Sequence, residues 1–268
     1  MSLDLLRARV AIRDRSFLDV LDLSLRFVAT HAAIYARVSA VVLVPSLGLG
    51  IAAGQLGGPV VGWAVAFGVG LVAEIPFTVL ASRLVFQDDV AARAVLADTL
   101  RDLPRLVGMR LVWLFGVAAA ASCFVVPALY VGVAALYASE VMLLERARLG
   151  DALRRSHRIA TSAFAEAWLG VFAAIGLPLL AIGAAEIGGR IALNEVLQFR
   201  PPASLFETGW SVLAVTGWFA VLPYTTTARF FVYLNARTRA EGWDIQTRFA
   251  AIAARAARVE ADGVDEAA

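Results

Sequence analysis

The chain has 268 residues, of which 60% are hydrophobic and only 17% charged, and its mean hydropathy is +0.75. Soluble domains carry nearer a quarter charged residues, so an ordinary water-soluble fold is excluded, and the absence of short alternating segments excludes a transmembrane barrel. All 24 basic residues are Arg; they cluster at the ends of apolar runs, where membrane topology explains the pI near 9.0 without nucleic-acid binding.

The N-terminus opens with Asp4, Arg7, Arg9, Arg13, Asp14 and Arg15, and no cleavable signal peptide is apparent. Apolar runs follow at 34–54, 60–82, 106–124, 127–145, 164–187 and 207–233. Each is long enough to cross a hydrocarbon core of about 30 Å. The third and fourth are separate because the 29 uncharged residues between Arg110 and Glu140 belong to a stretch that, as one helix over 106–145, would be about 60 Å long. A turn near Ser122–Pro127 fits better.

Arg distribution supports six spans. Residues 1–37 hold six Arg, 83–110 five, 146–158 five and 229–258 six, whereas the remaining two, Arg190 and Arg200, lie in one loop with Glu186, Glu195 and Glu207. Merging spans three and four would expose eleven Arg on the outside. The positive-inside bias places both termini in the cytoplasm, with 55–59 and 188–206 outside. The expected fold is all-α: a polytopic bundle with cytoplasmic amphipathic helices. Residues 1–246 form one transmembrane domain, and 247–268 a cytoplasmic amphipathic tail with a disordered end. In that tail Phe249, Ile252, Ala256 and Val259 make an apolar stripe beside Arg248, Arg255 and Arg258. The Ala, Val, Leu and Arg bias fits a GC-rich bacterial genome and hence an inner-membrane location.

The cytoplasmic segments repeat. Residues 93–101 (RAVLADTLR) match 146–154 (RARLGDALR) at six of nine positions, 53 residues apart, and a weaker copy spans 21–26. Each copy precedes a span, so the chain reads as three parallel units, each an amphipathic helix followed by a transmembrane hairpin.

Glu74 is the sharpest chemical feature. It lies nine residues before Arg83, inside the second span, where a charge costs about 2.5–3.5 kcal/mol. Gly62, Ala66, Gly70, Glu74, Thr78 and Ser82 recur every four residues, a small-residue face that lets helices approach closely. Glu74 therefore faces the bundle interior, either as a proton, cation or substrate site or as a carboxyl that glues helices together. Pro76 frees a backbone carbonyl beside it. Glu140 and Glu145 end span four and Glu166 begins span five. Arg146, Arg148, Arg154 and Arg155 are near in sequence, so interfacial ion pairing is expected. His31 and Tyr35 share a face at the entry of span one. Trp63, Trp168 and Trp210 sit near span ends as interfacial anchors. Two His and the single Cys123 do not make a zinc site, no nucleophile or phosphate-loop motif is present, and no cofactor is expected. The candidate polar network comprises Glu74, Glu140, Glu145, Arg154, Arg155, Arg237, Glu241 and Asp244. Glu241 or Asp244 is expected to pair with Arg154 or Arg155, closing the segment from Arg237 to Asp244 into a cap below the last span.

At Glu145, Ala152 to Ser156, Arg229 to Tyr233, and Arg237, Arg239, Glu241, Gly242, Trp243 and Asp244, the chain resembles a family of bacterial six-span inner-membrane proteins. It is similar to YciC-like proteins and to the membrane domain that precedes some glycerophosphodiester phosphodiesterases. His157 and Gln246 depart from the pattern, which expects an aromatic and an acid there. The resemblance implies an all-helical membrane architecture and brings no phosphodiesterase site, because it lacks the catalytic domain. The sequence thus points to a non-enzymatic membrane protein, a scaffold or subunit of a larger membrane assembly whose partners are the bilayer and other membrane proteins. The alternative is a small transporter or lipid-handling protein that uses Glu74 and its Pro-broken helices.

Overall fold

The computed structural model describes residues 15–87 and 90–241, with only the backbone of Glu241. Among these residues the fold is all-α, and four long apolar helices or helix pairs could cross a membrane: Ala32–Phe86, Ala92–Cys123, Val125–Glu145 and Phe164–Val196.

Helix α1 (Phe17–Thr30) starts where Ser16 accepts the Asp19 backbone N–H and buries Val20, Ser24 and Phe27. It ends at His31, whose Nδ1–H donates to the Phe27 carbonyl at 2.9 Å. Helix α2 (Ala32–Ala73) is broken at Gly58, where φ is +81° and ψ −178°, a conformation open in practice only to Gly. Pro59 follows as the first residue of the returning leg. The two legs pack back to back: a Cβ placed on Gly62 would lie 2.7 Å from Gly54 Cα, and one on Gly50 3.4 Å from Ala66 Cβ. The small-residue face thus allows the contact that its spacing predicts.

Helix α3 (Ile75–Phe86) continues from the joint at Glu74, with Pro76 in its first turn. Helix α4 (Ala92–Cys123) runs unbroken through Pro104. The amphipathic copy at 93–101 is therefore not a separate helix but the first part of α4, which is about 48 Å long in all. The chain turns at Phe124, within the expected Ser122–Pro127 interval, into α5 (Val125–Ala134). A turn at 135–137 leads to α6 (Ala138–Glu145). The second amphipathic copy does form its own helix, α7 (Leu149–Ser162), after Arg146 adopts a left-handed φ of 51°.

Helix α8 (Phe164–Ile191) extends past the expected end of span five and continues as a π-helical turn, Ala192–Val196. Much of the supposed outer loop is thus ordered. Glu186 is fully buried, accepts the Leu205 N–H at 3.0 Å and lies 3.6 Å from Arg190, which donates to the Pro202 carbonyl at 2.7 Å. These contacts fold the loop and the short helix α9 (Leu205–Thr208) back onto α8.

Helix α10 (Val212–Glu241) packs against α8, α2, α1, α3 and α7 and is the central post of the bundle. Its face carries Thr226 and Thr227 fully buried, with Leu222, Phe230 and Tyr233. Its contact with α8 is close: a Cβ on Gly217 would run into the Ala181 carbonyl and come within 2.7 Å of Ala185 Cβ.

Candidate functional site

Four charged side chains, one from each of four apolar segments, meet inside the bundle. Glu74 sits at the α2–α3 joint, Arg110 a little past the middle of α4, Glu140 in the first turn of α6 and Arg229 in α10. Arg110 Nη1 donates to Glu74 Oε2 at 2.6 Å. Arg229 Nη1 donates to the same oxygen at 3.0 Å, while its Nε donates to Glu140 Oε1 at 2.7 Å. The Ser139 hydroxyl donates to Glu140 Oε2 at 2.8 Å. Exposure falls to 9% for Glu74, 8% for Arg110 and zero for Glu140.

Local sequence explains how each side chain arrives. Glu74 continues the small-residue face that packs Ala66 and Gly70 against Trp218, whose indole N–H donates to the Ala66 carbonyl at 3.2 Å. Glu140 follows the turn between α5 and α6. There Ser156 of α7 donates to the Ala134 carbonyl at 2.8 Å and accepts the Tyr137 N–H at 3.1 Å, replacing the helical bonds that the turn breaks. Arg229 follows the Thr225–Thr227 stretch, whose Thr227 hydroxyl is 2.7 Å from the Tyr35 hydroxyl.

Beside this cluster lies a cavity of about 180 Å³. Glu74, Arg110, Arg229 and Ser139 form its polar end; Trp113, Trp218, Leu71, Met109 and Leu136 line the rest. Arg110 Nε and Arg229 Nη2 are buried without a hydrogen-bond partner among the described residues. A buried donor on a charged group left unpaired costs about 1–3 kcal/mol or more. Neither nitrogen is reachable from the cavity, so both are orphaned within the cluster, while the space itself has room for a molecule beside the same two side chains.

A second cluster lies near the C-terminal ends of α6 and α10. Glu145 contacts Arg155 at 3.0 Å, Arg237 at 3.3 Å and the Tyr233 hydroxyl, which donates to it at 3.2 Å. Arg239 pairs with Glu166, and Arg83 with Asp98. The expected network therefore divides. Glu74 and Glu140 join one cluster, and Glu145, Arg155 and Arg237 the other. Arg154 joins neither: its exposed side chain meets Asp151 at 3.2 Å and the Gly150 carbonyl at 3.4 Å, both within its own helix. Glu140 does not pair with the Arg residues that follow it in sequence, because it points inward at Arg229 on α10. The expected pairing of Glu241 or Asp244, the cap they would close with Gly242 and Trp243, and the amphipathic tail lie outside the described residues.

Sequence reasoning missed Arg110, Arg229, Ser139, Trp113 and Trp218. The available signal was that Arg110 and Arg229 fall within apolar runs three and six, four residues from a run end in each case. Counted with the cytoplasmic charges, they looked like topology determinants. Trp63 and Trp210, expected as lipid anchors, serve the fold: Trp63 Nε1 donates to the Gly209 carbonyl at 2.9 Å, and Trp210 lies over Gly54 and Gly62. Among the described residues no group of three His, Cys, Asp or Glu side chains is placed to hold a metal ion.

Compared with protein-family models, curated proteins and solved structures, the chain matches none of them.

Proposed function

We propose that this chain is a non-enzymatic, multi-pass protein of the bacterial inner membrane that binds a small amphiphilic molecule or solute inside its helix bundle, at the Glu74–Arg110–Arg229 site. One observation carries the reading: a cavity of about 180 Å³ is lined by two guanidiniums and the Glu74 carboxylate at one end and by apolar side chains elsewhere. A cluster that served only to join helices gains nothing from an adjoining void, since unfilled space loses packing contacts. Ionisable groups within a membrane bundle characteristically mark such pathways and sites.

The proposed architecture has six spans: the two legs of Ala32–Phe86, then α4, α5 with α6, α8 and α10, with both termini cytoplasmic. The three-unit repeat is part of it. With the copies aligned 53 residues apart, buried Thr99 and Leu106 of α4 correspond to buried Ala152 and Ile159 of α7. In the register of the copy at 21–26, with Leu25 and Arg26 opposite Leu153 and Arg154, buried Ser24 of α1 lies opposite buried Ala152. Of the residues that carry the family resemblance, Arg229 belongs to the site and Ser156 secures the turn that presents Glu140.

A scaffold or assembly subunit is the second reading. It is favoured by the way the same four charges tie α3, α4, α6 and α10 together. Purification in a mild detergent followed by native mass spectrometry separates the two. A bound small molecule on the wild-type protein, lost from Arg110→Gln, supports the binding role. A stoichiometric protein partner with no small molecule on either form favours the scaffold.

A further inference from the structure

The charge balance of the pocket selects its ligand, an inference that rests on the binding role proposed above. Glu74, Arg110, Glu140 and Arg229 form one connected cluster of two anions and two cations. The polar end of the cavity thus carries no net charge, and the two guanidiniums that line it can only donate hydrogen bonds. A ligand there needs hydrogen-bond acceptors and not counter-charge. A net anion would bring an uncompensated charge into an apolar surrounding. A net cation would also face the two guanidiniums. The Ser139 hydroxyl is already spent on Glu140, and the Trp218 indole N–H on the Ala66 carbonyl. Beyond the charges, the cavity offers Trp113, Trp218, Leu71, Met109 and Leu136, a wall suited to an apolar body.

We infer that the cavity takes an amphiphile of zero net charge, with acceptor oxygens turned to Arg110 and Arg229 and its apolar part against Trp113 and Trp218. Ester oxygens of a neutral glycerolipid and phosphate oxygens of a zwitterionic phospholipid both supply this chemistry.

The test titrates the delipidated full chain with diacylglycerol, phosphatidylethanolamine and phosphatidylglycerol of matched acyl chains, read by native mass spectrometry. The neutral or the zwitterionic lipid should bind at least about tenfold more tightly than the anionic one, and whichever of the two binds identifies the oxygen source. Ala174, which is exposed and lines the cavity, gives a control that leaves the charges intact: Ala174→Leu should weaken the favoured lipid by about tenfold, whereas lipid held on the outer surface would be unaffected. Glu74→Gln leaves the cluster with one excess positive charge and should shift preference toward phosphatidylglycerol. Glu140→Gln has the same charge effect and serves if Glu74→Gln does not fold. Wild-type preference for phosphatidylglycerol, or no shift in either Gln variant, overturns the inference while leaving a binding pocket in place. Failure of Ala174→Leu to alter the binding of any lipid overturns the pocket itself.

Discussion

Glu74 Oε2 is shared by two guanidiniums, so removing its charge affects more than one bond. Glu74→Gln leaves Arg110 without its carboxylate partner and Arg229 with Glu140 alone. Loss of one partner from a buried pair costs about 3–5 kcal/mol. The double variant Glu74→Gln/Arg110→Gln restores neutrality, so its loss should be well below the sum of the two single losses. Unfolding of the four proteins in one detergent checks this, and additive losses would mean that the charges are not coupled. Glu74 was legible in the sequence because a lone acid on a small-residue face has few explanations. Its partners were not, because they lie 36 and 155 residues away. An Arg near the end of an apolar run fits equally well as a group reaching for the headgroups; only the fold decides which way it points.

At the scale of elements, two glycines are predicted to be intolerant of change for different reasons. Gly58→Ala forces a side chain into a φ of +81°, costing about 1–3 kcal/mol and loosening the α2 hairpin. Gly217→Ala adds a methyl group against the Ala181 carbonyl and Ala185, forcing α8 away from α10 at an overpacking cost of about 1–3 kcal/mol. Gly183→Ala, a position with open space around it, is the control and should behave as wild type in thermal unfolding. The breaks at Gly58 and near Phe124 were legible because apolar runs too long for one crossing must fold back. The continuity of α4 through Pro104 was not, since an internal Pro can either end or merely bend a helix. Nor was the ordering of the segment after α8. It depends on Glu186 reaching the backbone of Leu205 and on Arg190 reaching Pro202, contacts without a local sequence signature.

For the whole molecule, the proposed topology predicts that single cysteines in a Cys123→Ala background label from outside at positions 55 and 200, and from inside only at 98 and 151. Outside labelling at 98 or 151 would invert the arrangement. The helical architecture was readable from hydropathy and Arg placement, but the central position of α10 was not. Its buried Thr226 and Thr227 and half-buried Arg229 lower its hydropathy, as suits a helix that faces protein rather than lipid. The same inward polarity places Arg229 at the cavity, and the account as a whole depends on that cavity being a binding site. A high-resolution electron cryo-microscopy map of the chain in native-lipid nanodiscs tests this most directly. The predicted result is non-protein density bounded by Trp113 and Trp218 and in contact with the guanidiniums of Arg110 and Arg229. A cavity closed by repacked side chains, with both guanidiniums saturated by protein groups, would contradict it.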